Sequence, residues 1–199
     1  FTGDVTIGDA SAADKKILFD GNAQDYHIGL DDSTDSLTIG KGSTLGTTTS
    51  MAFDANGIIT KPLQPAFLVR PASNQLNLTN GTIAFGTEIF DNNSDFASNT
   101  FTAPVTGKYQ LQLTARIDSI DVDANYQRIY VVTSNRTYQS SIIDLGGLSG
   151  DPAYWSMGFC VLADMDAGDT VLLQWNQSGG AAQADIQAND AEFSGYLVC

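Results

Sequence analysis

The chain of 199 residues carries one histidine, two cysteines and nine basic residues against 23 acidic ones. Each scarcity removes a class of function. With His27 the sole imidazole, a Ser-His-Asp triad would have to be built on it, and a surface or inter-chain packing role is expected instead. Cys160 and Cys199 lie far apart without metal-ligand spacing, in strand-like apolar segments. They are expected to be buried free thiols rather than a disulfide. A formal charge of −14 argues against duplex DNA or anionic lipid, which reward clustered Lys and Arg, so no nucleic-acid partner is expected. No apolar run reaches the roughly 18 residues of a transmembrane helix, and no membrane insertion is expected. No Gly-x-Ser-x-Gly elbow, Walker loop or zinc spacing occurs either. The chain is therefore not expected to be an enzyme. A carboxylate pair assembled across subunits, as glycosidases use, is the one catalytic arrangement left open. Because the chain starts at Phe1 without Met, it is expected to be a fragment or a processed product.

What is present is the material of strands and turns. Thr, Ser, Asn, Gly and Asp are abundant, hydrophobic residues make up 42%, and no run has helical periodicity. The chain reads as all-β. Composition changes near Lys61-Pro62-Leu63-Gln64-Pro65, which divides it into residues 1–61 and 62–199. Residues 1–64 carry −5 of the charge (four Lys, nine Asp), and residues 65–199 carry −9.

In residues 1–61 the strand-like pieces are very short: Val5–Ile7, Ile17–Phe19, Tyr26–Ile28, Leu37–Ile39 and Ile58–Thr60. Val5-Thr-Ile-Gly8 recurs as Leu37-Thr-Ile-Gly40, and Phe19-Asp-Gly-Asn22 is echoed by Phe53-Asp-Ala-Asn56. Repeats of this length normally mark units that need neighbours to bury a core. About sixty such residues make a poor monomeric domain. Association of several chains around an axis, with apolar side chains inward, solves that problem. Residues 1–61 are thus expected to form a repetitive β shaft that trimerises; an irregular leader is the competing reading.

From Ala66 onward, strands are expected at 66–70, 88–90, 108–118, 126–134, 137–144, 156–163, 170–176 and 192–199. Asn80-Gly81 signals a hairpin between Leu76–Leu78 and Thr82–Phe85. In the turn Phe101–Tyr109, Pro104 fixes φ, Gly107 supplies a permissive position, and Tyr109, Leu111 and Leu113 then alternate with polar residues. About ten short strands at this spacing point to a jelly roll.

Three ordered signatures give the second part a family resemblance: Phe101 with Gly107 and Tyr109, then Gly168-Asp-Thr-Val171, then Phe193-Ser-Gly-Tyr-Leu197. Together with Ala66-Phe67 they resemble the globular head of complement C1q and its tumour-necrosis-factor-like relatives. Leu111 and Leu113 depart from it, standing where aromatics are usual, and no collagen Gly-X-Y stalk precedes the head. The resemblance implies a homotrimer of jelly rolls in which Phe101, Gly107, Tyr109, Phe193 and Gly195 are scaffold. A β-prone repetitive shaft on such a head looks like the distal end of a phage tail fibre. That implies a virion protein acting extracellularly, whose partners are its own copies, the rest of the fibre and a host surface receptor, glycan or protein. A secreted C1q-like adhesin or lectin, and a purely structural trimerisation cap, are the alternatives.

The candidate sites follow. Tyr138, Tyr154 and Trp155 are aromatics that would stack on a sugar or anchor a protein, although internal packing would also account for Tyr154 and Trp155. Trp175, alternating with Leu173, belongs in the core or a trimer interface. Asp118, Asp121 and Asp123 crowd one loop, and Asp144 and Asp151 flank a glycine-rich one. The resemblance implies that Asp144 and Asp151 are the best positional match to a Ca2+ site, against plain solvated turns. Sequons at Asn77, Asn80, Asn92, Asn135 and Asn176 are what an Asn-, Ser- and Thr-rich composition yields.

Overall fold

The computed structural model describes residues 2–139 and 142–199, with sixteen strands and no helix among them. The chain divides into two compact units, residues 1–64 and residues 65–199.

In the first unit, β1 (Lys15–Phe19), β2 (Tyr26–Asp31), β3 (Ser36–Lys41), β4 (Thr49–Phe53) and β5 (Ile59–Thr60) pair antiparallel in chain order. Turn chemistry sets the spacing. After β4, the Asp54 carboxylate accepts the backbone N–H groups of Asn56 and Ile58 at 2.9 and 2.8 Å, so the chain reverses without Pro. The repeat is only partly structural. Phe19 and Phe53 each end a strand, and Leu37–Ile39 lies in β3, but Val5–Ile7 forms no strand. Leu37–Ile39 has a partner on both sides, whereas beside Val5–Ile7 there is only the edge strand β1. The unit also contains β4, which the apolar pattern did not mark.

Cross-strand register places Ile17, Ile28, Ile39 and Met51 in one row and Leu30, Leu37, Phe53 and Ile59 in the next. These share one face with Phe19 and Tyr26. The opposite face is polar and covered: His27, Asp31, Ser36 and Thr38 are buried, and so is Leu45 in the loop 42–48. His27 is therefore not a surface residue. Its Nδ1 lies 2.9 Å from the Gly42 carbonyl, and its ring stands where a side chain on Gly40 would be.

In the second unit two antiparallel sheets stack. One has the order β14 (Tyr154–Met165), β11 (Gly107–Asp118), β16 (Asp185–Leu197), β6 (Ala66–Arg70), β8 (Thr87–Asp91). The other has β13 (Thr137–Gln139), β12 (Ala124–Thr133), β15 (Thr170–Gly179), β10 (Thr100–Thr102), β9 (Phe96–Ala97), with β7 (Gly81–Thr82) pairing β15. Alternation makes the core between them. Tyr109, Leu111, Leu113, Ala115 and Ile117 of β11 face Ile129 and Val131 of β12 and Val171, Leu173 and Trp175 of β15. Trp175 is thus core. Phe67 is the hub of the aromatic cluster, stacked on Phe101 at 4.7 Å and edge-on to Phe193 at 5.0 Å.

Several local expectations change. Asn80-Gly81 closes no hairpin: the segment before it joins β16 through Gln75 and Ile186, while Gly81–Thr82 joins β15. The Asn80 side chain is occupied in bonding both the N–H and the C=O of Gln177 on β15, so it is the segment 75–82 as a whole that ties β16 of one sheet to β15 of the other. The scaffold role of Gly107 comes from close approach, not from an unusual φ. A Cβ there would stand 2.6 Å from the Cys199 carbonyl oxygen. The closing strand begins at Asp185, ahead of the apolar residues that betray it. The strand at 137–144 is observed over Thr137–Gln139, and its next two residues lie outside those described. Cys160 and Cys199 are free but exposed. Cys160 alternates with Phe159 and Val161, which pack on the core, and so points outward; Cys199 lies beyond the end of β16.

Candidate functional site

The long ladder of β11 with β14 and β16 gives the second unit two distinct ends. At one, Pro65 accepts the N–H of Leu197, Lys108 exchanges hydrogen bonds with Val198 and Cys199, and Gly107 faces Met165. Here the chain enters and leaves the sandwich. At the other end Asp118 faces Tyr154 and Asp185. The intervening ladder is about 36 Å long at roughly 3.3 Å per residue. The candidate recognition residues Tyr154 and Trp155 open β14 at this far end, where Tyr154 is 68% exposed and Trp155 37%.

A break in register builds the ground beside them. Ala115 pairs with Ala191 but Ile117 pairs with Ile186, so β16 carries extra residues here. The bulge brings Asp190 to Arg116. The Arg116 guanidinium donates to both oxygens of Asp118 at 2.8 and 2.9 Å, donates to Asp190 at 2.8 Å, and lies over the Tyr154 ring at 4.6 Å. The bidentate bond to Asp118, together with the charge of Asp190, holds the Arg116 pKa above its ordinary value despite partial desolvation. A groove of about 570 Å³ runs along Thr114, Arg116, Ser156, Gly158 and Asp190. A smaller hollow of about 280 Å³, lined by Ile142, Asp144, Trp155 and Met157, shares its Ser156–Gly158 wall.

Of the other candidates, Asp144 lines that hollow, and its carboxylate accepts the N–H of Gly146. Asp151 works as a loop clamp. It accepts the Val122 N–H at 2.9 Å and the Gln183 amide at 2.6 Å, and these bonds lower its pKa. Among the described residues, no three His, Cys, Asp or Glu side chains converge within one chain to hold a metal. Asp144 and Asp151 each make local hydrogen bonds within their own loops. Tyr138 stands apart from Tyr154 and Trp155, half-buried against the core on β13 of the other sheet. Phe101, Tyr109 and Phe193 are fully buried, and Tyr109 donates to the Val105 carbonyl at 2.8 Å. Burial raises the Tyr109 pKa.

The alternation along β12 builds a further surface cluster. Tyr126, Arg128 and Tyr130 project from one face, with the guanidinium 4.6 and 4.5 Å from the two ring centroids. Arg128 donates to Asn176, Gln139 and the Tyr126 hydroxyl, all neutral acceptors. A Tyr-x-Arg-x-Tyr spacing inside a predicted strand is the signal that would have found it.

A sandwich with these two sheets, this aromatic hub and this closing strand matches the model of the C1q domain over residues 66–198. The chain belongs to the C1q domain family. Among solved structures, the globular domain of zebrafish complement 1qA is similar at a TM-score of 0.51 and 17% identity, covering 68% of this chain and 98% of that one. Murine APRIL is similar at a TM-score of 0.49 and 10% identity, covering 68% and 99%. No curated protein matches the sequence. C1q and tumour-necrosis-factor-like domains typically form homotrimers and bind receptors, and these families are non-enzymatic binding modules.

Proposed function

We propose that the chain is the trimeric receptor-binding tip of a viral fibre, attached through the shaft-like residues 1–61 and acting on a host-cell surface. The observation that carries this reading is the position of Tyr154 and Trp155. They are exposed at the end of the C1q domain opposite Pro65, where the chain arrives from residues 1–64. Loops at such an end are where a scaffold places recognition. Exposed aromatic faces beside a groove that carries Arg116, Ser156 and Asp190 suit a sugar ring or a protein side chain. With three copies on one axis, three such ends point the same way. Modest affinity at each then becomes firm attachment through multivalency.

The net charge of −14 suits a particle exposed outside the cell and disfavours membrane or nucleic-acid partners. The test is competition. Purified chain added before virus particles is expected to block their adsorption to host cells in a saturable way, and Trp155→Ala is expected to abolish the block. Failure of a correctly folded trimer to compete would overturn receptor binding and leave a trimerisation cap. Competition that vanishes when host glycans are stripped identifies a glycan receptor; competition that survives stripping identifies a protein.

A further inference from the structure

The first unit wears its sheet inside out. On one face the polar residues His27, Asp31, Ser36 and Thr38 are buried, with Leu18 exposed toward the edge, whereas the apolar face is open. Ile17, Phe19, Tyr26, Ile28, Leu30, Leu37 and Ile39 are between 37% and 54% exposed, and Met51, Phe53 and Ile59 extend the same rows. Charge appears on that face only at two corners, as Lys15 opposite Leu30 and Lys41 opposite Tyr26. A hollow of about 190 Å³ beside β1 is walled by Ile7, Ile17, Ile28, Leu30 and Leu37 together with Lys15 and Lys16.

We infer that this face is buried against the same face of two further copies of the chain, with the Ile17–Ile28–Ile39–Met51 row turned toward their common axis. The inference rests on the trimeric reading above and adds to it a second, separate interface. Three observations select the occupant. Ten side chains, most of them about half exposed, supply on the order of the 800 Å² per partner that a stable interface buries, well beyond the scattered apolar groups of a monomer surface. The one carboxylate at its border, Asp9, is already paired with Lys15 at the corner, and between the corners the face is aliphatic and aromatic, so it fits a surface of its own kind. Finally, the C1q domain on the same chain belongs to a family of homotrimers, so it brings two further copies of this sheet into reach.

The test uses the full chain with Cys160→Ser and Cys199→Ser, so that an introduced thiol is the only one. Ile28→Cys and Ile39→Cys place it on the apolar face; Leu18→Cys places it on the opposite side of β1, where Leu18 is 40% exposed. Light scattering on each variant gives the mass, and a small disulfide reagent gives the thiol reactivity. The inference expects a trimer in which the Ile28→Cys and Ile39→Cys thiols react at least tenfold more slowly than Leu18→Cys. It also expects a short bismaleimide to link chains through the first two positions and not the third. Equal reactivity at all three positions in a trimer would overturn this interface while leaving a C1q-domain trimer standing. A monomer would overturn both.

Discussion

Arg116 lies over the ring of Tyr154 while its guanidinium is held by Asp118 and Asp190, carboxylates from two different strands. The arginine is thereby neutralised and immobilised, and it serves as a platform that orients the exposed Tyr154. Arg116→Ala removes the platform and leaves two carboxylates facing each other. Surface pairs contribute little to stability, about 1 kcal/mol or less, although this network is bidentate. Arg116→Ala is therefore expected to weaken cell binding at least tenfold while lowering the urea midpoint only slightly. Binding assays on the variant beside Tyr154→Ala check this, and unchanged binding by both would remove the tip from the account.

The Asp151 clamp makes the far end acid-sensitive. Bonds from the Val122 N–H and then Gln183 hold its carboxyl below the usual carboxylate range. A group depressed in the folded state contributes stability above its unfolded pKa, about 3.9, and loses that contribution as pH falls through the folded value. Wild type is therefore expected to melt higher than Asp151→Asn at neutral pH, with the gap closing below about pH 4. Thermal melts of both proteins across that range check it; a gap independent of pH would contradict the clamp.

Close packing rather than turn geometry explains Gly195. A Cβ there would stand 2.7 Å from the Phe67 ring and 2.8 Å from the Leu111 side chain, both buried. Gly195→Ala is expected to destabilise by about 1–3 kcal/mol through overpacking. At Gly147 nothing stands within 4 Å of the same position, so Gly147→Ala is expected to be neutral. Equilibrium urea unfolding of the pair provides the comparison. Phe67→Ala, which empties the aromatic hub, is expected to cost about 3–5 kcal/mol.

The C1q sandwich was legible wherever burial enforces alternation. Tyr109, Leu111 and Leu113 appear in the sequence as they stand in β11, and Phe193-Ser-Gly-Tyr-Leu197 appears as the closing strand. What could not be read depended on partners distant in sequence. Asn80-Gly81 has the composition of a hairpin turn, yet the Asn80 side chain is taken up by Gln177, 97 residues away. Asp185–Ala191 is too polar to announce a strand, and its bulge, which builds the Arg116 network, follows only from pairing with β11. Apolar neighbours suggested buried cysteines, but in a strand the side chains beside a core residue point the other way. Tyr154 and Trp155 stood out as aromatics, but their sequence left surface and packing roles open, and they open strand β14 two residues ahead of the strand start expected there. That Tyr138 lies on the other sheet could not be read, because the sheet a strand joins is set by its pairing, β13 with β12 and β14 with β11.

Mass in solution tests the central claim most directly, since tip, shaft and multivalent attachment all require three chains. Size-exclusion chromatography with multi-angle light scattering at micromolar concentration is expected to give three times the 21.1 kDa of the single chain, unchanged on dilution through that range. A stable mass of 21.1 kDa would contradict the account.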